Sequence, residues 1–424
     1  MKTNRLRIMT AAAICLAVLK CGAQPAALTL QQADSLFLAR NCEVLAARYG
    51  IEQADAQTIQ ARLFDNPVVS LDENVYNRLN GKYFDFGNTS EQVVGIDQLI
   101  SIAGQHANAV RLAKLSGQAA RETFDELVRN LRGSLHCTFI RLYFAQQNLE
   151  VFRHEIISLH RVLDALALQE EKGNISKIET ARIRALLLSL QQEQNQYATQ
   201  EADLQAQLRM YAGIPADTRM QAAFNPNAID TLSSDSSPAW DALQSFLTSR
   251  PDVRLAQTGA DMAGRKVKLQ RSKAFPEVHL RGQYDRNAGY FPNYFSAGIS
   301  LTIPIFNHNQ GNIHSAKAEA LQAQCLFDQT LQQARNDLAV AIDKLHRALA
   351  LSATVSRDFH PENMENLFKG VNENYKKRNI SLLEFVDFYR TYKDAMLQTA
   401  DIRQEAFIAM EELNTAVGQT VIRY

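Results

Sequence analysis

The apolar residues of the chain change from helical to extended spacing and back in a fixed order. Helical spacing over residues 28–66 predicts a helix that ends before Pro67. Apolar and polar side chains then alternate over 68–77 and 91–102, which predicts two strands separated by an aromatic-rich loop. Residues 104–172 contain no proline and carry an apolar stripe every three or four positions: Leu127, Leu131, Leu135, Phe139 and Leu142. The stripe predicts one helix of about 100 Å.

A return helix is predicted for residues 176–212, and the order of elements then starts again. Residues 213–239 are rich in Pro, Ser, Asp and Asn, and they are predicted to link the two halves. The second half predicts a helix over 240–274, strands over 276–286 and 294–306, a long helix over 311–377, and a return helix over 381–417. Pro361 is expected to kink the long helix or to begin a new segment.

The two halves also match residue by residue. The sequence Gly-Asn-Ile-Ser-Lys-Ile-Glu at 173–179 corresponds to Arg-Asn-Ile-Ser-Leu-Leu-Glu at 378–384, an offset of 205 residues (379 − 174). The same offset relates Gly213 to Gly418. A collinear series of matches indicates an internal duplication, with a first repeat at 24–212 and a second at 240–424.

The turns between long and return helices contain helix-capping residues. Ser176 and Glu179 have the spacing of a Ser-x-x-Glu capping box, as do Ser381 and Glu384. Gly173 suits the left-handed residue that ends the preceding helix. Each half is therefore predicted to end in a sharp helical hairpin.

The first residues have the features of an export signal. An apolar run at 8–19 is too short to span a bilayer, and small residues allow cleavage after Ala23, so we assign 1–23 as a signal peptide. Cys21 also allows acylation at a mature N-terminal cysteine, although Lys20 before it fits a lipidation site poorly. Either process exports the chain. The basic residues that precede the apolar run are Lys2, Arg5 and Arg7.

Composition narrows the function further. The 424 residues include 45 Lys and Arg against 45 Asp and Glu, so no basic excess indicates nucleic-acid binding. A mean hydropathy of −0.24 excludes a polytopic helical membrane protein. Cleavage leaves Cys42, Cys137 and Cys325, which are odd in number and far apart. They predict small buried side chains and no disulfide framework.

The four predicted strands cannot close a barrel within one chain, since membrane barrels need at least about eight strands. Aromatic residues cluster beside the strands, and either an interfacial girdle or a packed sandwich core would account for them. The export signal and the long hairpins favour a membrane location. The sheet must then close by oligomerisation, because an open edge in lipid leaves backbone groups unpaired.

Several local motifs resemble the TolC family of outer-membrane efflux channels. The motifs are Arg-Pro-Asp-Val at 250–253, Phe-Pro-Glu-Val at 275–278, Ile-Pro-Ile-Phe-Asn-His-Asn-Gln-Gly-Asn at 303–312, and the turn sequence at 378–384. They occur in this order within a duplication that covers nearly the whole mature chain. The stretch at 306–312 is most similar to the branch that works with cobalt-zinc-cadmium or copper-silver pumps.

The resemblance implies a fold class and partners. The fold is mainly α with a short membrane β segment: three chains form a trimeric 12-stranded β-barrel in the cell outer membrane, continued by a long α-helical tunnel through the periplasm. The partners are a periplasmic adaptor, an inner-membrane resistance-nodulation-division pump and outer-membrane lipid. The implied function is a passive exit duct for cations or small toxic compounds in a tripartite efflux system.

No catalytic motif or metal-ligand spacing was found, so we expect no enzyme activity, no cofactor and no metal site. Pore-entrance candidates are Asp387, Glu384 and Glu179. For the two glutamates we favour helix capping over a pore role, and Asp387 could instead be solvated outside the pore. Residues predicted to form the docking tips are Gly173, Asn174, Ser176, Asn379 and Ser381. A protein or peptide secretion channel, or a periplasmic coiled-coil structural or adaptor protein, remains an alternative.

Overall fold

The computed structural model describes residues 26–78, 80–87, 90–231, 240–288, 291–358 and 361–424. The predicted signal peptide, with Cys21, lies outside these residues. The chain forms two compact units. Unit 1 contains the described residues of Met1–Leu45, Leu127–Leu247 and Ala334–Tyr424, and unit 2 those of Ala46–Glu126 and Thr248–Gln333. Each unit takes segments from both sequence repeats, so a repeat is not a compact unit, and the duplication remains a proposal about the sequence.

The N-terminal helix is divided in two. Helix α1 (Leu30–Arg40) and helix α2 (Cys42–Gln60) replace the single helix predicted over 28–66. Asn41 separates them in an extended conformation, and its Oδ1 accepts the N–H groups of Glu43 and Val44 at 2.9 and 3.1 Å. An asparagine that bonds nearby backbone groups competes with the helix, which explains the break.

The long helix and its return helix in the first half lie where the pattern placed them. Helix α3 (Gln105–Glu171) contains 67 residues and is about 100 Å long at about 1.5 Å per residue. Helix α4 (Lys177–Ala212) follows after a short turn and ends at Gly213, whose φ of 62° is left-handed.

The second half is described in more helical segments than the pattern predicts. The predicted helix over 240–274 is divided into α5 (Trp240–Gln244), a 3₁₀ turn (Leu247–Ser249) and α6 (Pro251–Ser272), because Pro251 begins α6 and fixes the extended residue before it. The long helix predicted over 311–377 is described in two segments, α7 (Gln310–Asp358) and α8 (Pro361–Lys376), and residues 359–360 lie outside the described residues. Helix α9 (Leu382–Val417) is the return helix.

A four-stranded antiparallel sheet lies in unit 2. Its strands, in chain order, are β2 (Val68–Glu73), β5 (Gln92–Ile100), β7 (Glu277–Ala288) and β8 (Phe291–Thr302), and they are neighbours in that same order. Strands β2 and β8 therefore form the edges. A small hairpin, β3 (Tyr76–Asn77) with β4 (Lys82–Tyr83), occupies part of the segment between β2 and β5.

Two strands each end four residues earlier than predicted (73 against 77, and 302 against 306). The strand predicted over 68–77 ends at Glu73, whose carboxylate accepts a hydrogen bond from the Ser90 hydroxyl at 2.6 Å, and the chain turns into β3. The strand predicted over 294–306 ends at Thr302, because Pro304 has no N–H group to donate to a neighbouring strand.

The predicted linker at 213–239 contains structure in its described part. Strand β6 (Met220–Ala223) pairs in parallel with β1 (Ala26–Thr29), and a 3₁₀ helix (Pro226–Thr231) follows. The side chain of Gln205 bonds both backbone groups of Met220, at 2.6 and 3.2 Å. The pairing was missed because two four-residue strands about 190 residues apart leave no periodic signal.

The cysteine prediction is partly wrong. Cys42 and Cys325 are exposed and Cys137 is half-buried, and all three are free. Burial raises the pKa of the Cys137 thiol to about 11. None of the described helices combines the length and the apolar character that crossing a membrane requires.

Candidate functional sites at the sheet and the helix turns

One face of the four-stranded sheet is apolar and uncovered. The strand register places alternate residues of all four strands on this face, and their exposed fractions run from 41% for Ile100 to 75% for Phe295. An exposed apolar surface of this kind marks a contact with lipid or with another protein. We call it the apolar face; it comprises Val69, Leu71, Val94, Ile96, Ile100, Leu280, Phe295, Ile299 and Leu301.

The opposite face is polar and contains a charged cluster. The Asp97 carboxylate accepts a hydrogen bond from Nε of Arg281 at 2.7 Å, and Nδ1 of His279 lies 2.7 Å from its other oxygen. Register pairs Asp97 with Arg281 and Leu99 with His279, so these three polar residues share one face. The sheet thus separates apolar from hydrophilic surroundings.

Both edges of this sheet have unpaired backbone groups. Strands β2 and β8 each have one neighbour, and strands of nine to twelve residues such as β5, β7 and β8 match the thickness of a hydrocarbon layer. In lipid, those edges need strands from another chain.

The two helix turns share one backbone geometry. In the first, Asn174 donates its N–H to the Gln169 carbonyl at 2.9 Å, and Gly173 has a left-handed φ of 71°. In the second, Asn379 donates to the Asn374 carbonyl at 2.9 Å, and Arg378 has a φ of 59°. Both are Schellman-type ends, but the second places a side chain where glycine is normally required.

The predicted capping boxes differ in outcome. In the second turn, Ser381 Oγ accepts the Glu384 N–H and the Glu384 carboxylate accepts the Ser381 N–H, so the box forms. The N–H of Ser381 lowers the pKa of the Glu384 carboxyl. In the first turn, Ser176 Oγ accepts the N–H of Ile178 instead, and the predicted Ser176–Glu179 box does not form.

A groove of about 700 Å³ lies between the two turns. The guanidinium of Arg378 donates to the Asn174 carbonyl at 3.3 Å and ties one turn to the other. Tyr375 lines the groove, and its burial together with the Glu179 carboxylate raises the pKa of its hydroxyl to about 12. The lining includes Gln169, Asn174, Glu179, Tyr375, Arg378 and Ser381.

The predicted site residues are therefore distributed over two places. Asn174, Glu179 and Ser381 meet at the groove, whereas the exposed Asp387 lies one turn beyond Glu384 on α9. The other predicted tip residues, Gly173, Ser176 and Asn379, set the backbone of the turns. Sequence reasoning missed Arg378 and Tyr375. The repeat alignment contained a signal for Arg378, because it pairs Arg378 with Gly173.

A buried acid lies deeper in unit 1. Glu155 on α3 is 1% exposed, and neither carboxylate oxygen has a hydrogen-bond partner among the described residues. Burial raises the pKa of Glu155 to about 8, although the ammonium of Lys393 acts in the opposite direction. Nearby, the Tyr389 hydroxyl donates to Asn372 Oδ1 at 2.8 Å. No sequence pattern singles out Glu155, since its burial depends on packing by α9.

Within the part of the chain that the structure describes, no group of three or more His, Cys, Asp or Glu residues is arranged to hold a metal ion.

Residues 242–419 match the family model described as "Outer membrane efflux protein". The chain is 21% identical over 393 residues to the cobalt-zinc-cadmium resistance protein CzcC of Cupriavidus metallidurans, covering 92% of this chain and 90% of the relative. It is 22% identical over 397 residues to the pyoverdine export outer membrane protein OpmQ of Pseudomonas putida, covering 88% and 82%.

Solved structures share the fold. The CusC channel superposes with a TM-score of 0.74 at 18% identity, covering 92% of both chains. The CmeC outer membrane channel of Campylobacter jejuni superposes with a TM-score of 0.75 at 16% identity, covering 93% of this chain and 87% of that chain.

Proposed function

We propose that this chain is the outer-membrane channel of a tripartite efflux system and a member of the outer membrane efflux protein family, whose model its residues 242–419 match. It is a passive duct through which cations or small toxic compounds leave the cell. One observation carries the proposal: the sheet has an uncovered apolar face, a charged opposite face and two open edges. Such a sheet separates lipid from an aqueous lumen only when other chains complete it.

Three chains are the proposed assembly. Four strands from each give twelve, which exceeds the roughly eight strands that a membrane barrel needs. Strand β2 of one chain then pairs with β8 of the next, and no open edge remains in lipid. Helix α3 follows β5 directly and is long enough, at about 100 Å, to extend well beyond the membrane.

The helix turns are the proposed contact with a periplasmic adaptor and an inner-membrane pump. The groove between the turns exposes backbone and side-chain polar groups of both halves of the chain, at the ends of α3, α4, α8 and α9. Rigid Schellman and capping geometry keeps these groups in place, which favours a docking role.

Cations are the proposed cargo class, alongside small toxic compounds. Two relatives are named as cobalt-zinc-cadmium and nickel-cobalt-cadmium resistance proteins, which supports metal cations, while OpmQ is named for pyoverdine export. A duct has to release what passes through it, so it needs no tight metal site.

Bilayer conductance tests the proposed function. The full chain, purified from outer membranes in detergent, should run as a heat-sensitive trimer on a gel and should form ion-conducting channels in planar bilayers. Deletion of the gene should sensitise cells to metal cations or to small toxic compounds. A chain that stays dissolved without detergent, runs as a monomer and conducts no ions would contradict the channel function and would favour a coiled-coil scaffold.

A further inference from the structure

All four strands of the large sheet connect to helices at the same end of the sheet. Strand β2 follows α2, β5 precedes α3, β7 follows α6, and β8 precedes α7. Because the strands are antiparallel neighbours, these four junctions lie side by side at one end of the sheet. We call this end the helix-side rim and define it as residues 60–67, 101–114, 264–277 and 303–319.

The helix-side rim is strongly basic in a chain with no net charge. It contains nine Lys and Arg residues against three Asp and Glu residues. The turn side of the sheet, residues 72–92 and 285–292, has the opposite balance, with three basic and five acidic residues. The basic excess is therefore confined to the end of the sheet from which the helices extend.

Three of the rim cations are available to a ligand. Lys268, Arg271 and Lys273 are exposed, and none of them forms an ion pair with another described residue. Lys266, in contrast, is paired with Glu319 at 2.6 Å, which uses one of the few rim carboxylates. Unpaired cations at an apolar boundary favour an anionic partner over a neutral one.

Large apolar side chains lie among these cations. Phe275 is 55% exposed two residues after Lys273, and Phe306 is 91% exposed just after β8. Phe64, which precedes β2, is also exposed and stacks on His106 with ring centroids 4.7 Å apart. Aromatic rings beside Lys and Arg are typical of the boundary between headgroups and acyl chains.

We propose that the helix-side rim binds anionic glycerophospholipid headgroups of the leaflet from which the helices extend. Lys268, Arg271 and Lys273 contact the phosphates, and Phe275 and Phe306 enter the interface beside them. The inference rests on the proposed function, since it requires the sheet to lie in a membrane. It specifies the headgroup chemistry of the bound lipid and the leaflet in which that lipid lies, and neither follows from a membrane barrel alone.

Lipid binding by the full chain in detergent tests the proposal. Native mass spectrometry would count short-chain phosphatidylglycerol and phosphatidylcholine molecules retained by the natural protein and by the triple variant Lys268→Gln, Arg271→Gln, Lys273→Gln. The matched control neutralises three exposed lysines at the helix turns: Lys172→Gln, Lys177→Gln and Lys377→Gln. Each basic residue near an anionic surface contributes about 1 kcal/mol, so the rim variant should bind phosphatidylglycerol about a hundredfold more weakly.

The natural protein should prefer phosphatidylglycerol over phosphatidylcholine. This preference should weaken as the salt concentration rises from about 0.05 M to about 0.5 M, because salt screens the charges. The rim variant should lose this preference and the control should keep it. Equal binding by all three proteins, or tighter binding of lipid A than of phosphatidylglycerol, would overturn the inference. A conducting channel without headgroup preference would overturn it too while leaving the proposed function intact, whereas loss of conductance in the natural protein would contradict the function itself.

Discussion

At the residue scale, the titratable groups His136 and Glu155 of unit 1 lie in different environments. His136 on α3 lies between two carboxylates, with Nδ1 3.1 Å from Glu411 Oε2 and Nε2 3.7 Å from Asp34 Oδ1. Burial by itself lowers the pKa of His136, but Asp34 and Glu411 outweigh it and raise the pKa to about 9. Glu155 has no such partner. One group is held charged and the other neutral at pH 7.

Replacement of His136 by glutamine should reduce stability below pH 9. Since the folded pKa of about 9 exceeds the usual 6.5, the stabilisation is complete below about pH 6.5 and is lost as pH rises through 9. The stabilisation amounts to about 3 kcal/mol. Thermal unfolding in detergent at pH 6 and pH 10 measures it, with the exposed His314→Gln as control. An equal deficit at both pH values would contradict the ion-pair interpretation.

Replacement of Glu155 by glutamine should have the opposite effect. The folded pKa of Glu155 is raised from 4.5 to about 8, so the natural protein loses stability as pH rises from 4.5 to 8. Glu155→Gln removes that loss and should raise the free energy of unfolding at pH 8 by about 4 kcal/mol. Unfolding curves between pH 5 and pH 8 test this, against Glu150→Gln on the same helix, which is exposed. No difference in slope between the two variants would refute it.

At the scale of elements, the helix turns and the sheet each have a structural requirement that a single substitution can test. The first helix turn uses Gly173 in a left-handed conformation with nothing within 4 Å of an added Cβ, so only the backbone opposes a side chain there. The sheet has two faces of opposite polarity. A substitution at Gly173 therefore tests the turn, and a substitution on one face of the sheet tests the membrane segment.

Gly173→Ala should destabilise unit 1 by about 1 kcal/mol, because a left-handed φ strains a residue with a Cβ. Gly370 supplies the control: it lies inside helix α8, also with nothing within 4 Å of an added Cβ. Gly370→Ala should stabilise by up to about 1 kcal/mol. Thermal unfolding of both variants should therefore shift in opposite directions, and shifts of the same sign would argue against the backbone explanation.

A lysine on the apolar face should impair assembly in the membrane. Ile96→Lys places a charge where we propose lipid, at a cost of about 2–4 kcal/mol near the bilayer midplane. Gln283→Lys is the matched control, since Gln283 is exposed on the polar face and pairs with Gly95 next to Ile96. The amount of heat-sensitive trimer in outer membranes should fall for Ile96→Lys alone. Equal yields would argue against a lipid-facing surface.

At the scale of the whole molecule, the proposed function requires copies of the chain to act together. One chain contributes four strands with two open edges, and three chains are the proposed closed wall. Symmetry would also repeat any residue that faces the lumen three times. Asp387 is exposed, lies one turn after the Glu384 cap and does not itself belong to the capping box.

Asp387→Ala should lower the cation preference of single channels in planar bilayers, because a ring of three carboxylates favours cations at a constriction. Asp203→Ala provides a control, since Asp203 is exposed on α4 away from the turns. Unchanged conductance and ion preference in Asp387→Ala would place this residue outside the pore entrance.

The sequence by itself determined the order of the main elements, the two helix turns and the two faces of the strands. These features depend on local spacing, which a chain shows before it folds. Asn41 and Pro251 interrupt helices that the apolar spacing predicts as continuous. At these positions the side-chain hydrogen bonds of Asn41 and the restricted backbone of Pro251 outweigh the apolar pattern. The capping box formed at Ser381 but not at Ser176, although the two sequences match.

Only the tertiary structure decided which groups are buried and which distant segments meet. The pairing of β1 with β6, the tie from Arg378 to Asn174, and the partnerless Glu155 each depend on contacts between residues far apart in sequence. A helical pattern shows which side of a helix is apolar, but it does not show which other helix covers that side. For that reason the architecture was readable from the chain, whereas the buried charges that set its response to pH were not.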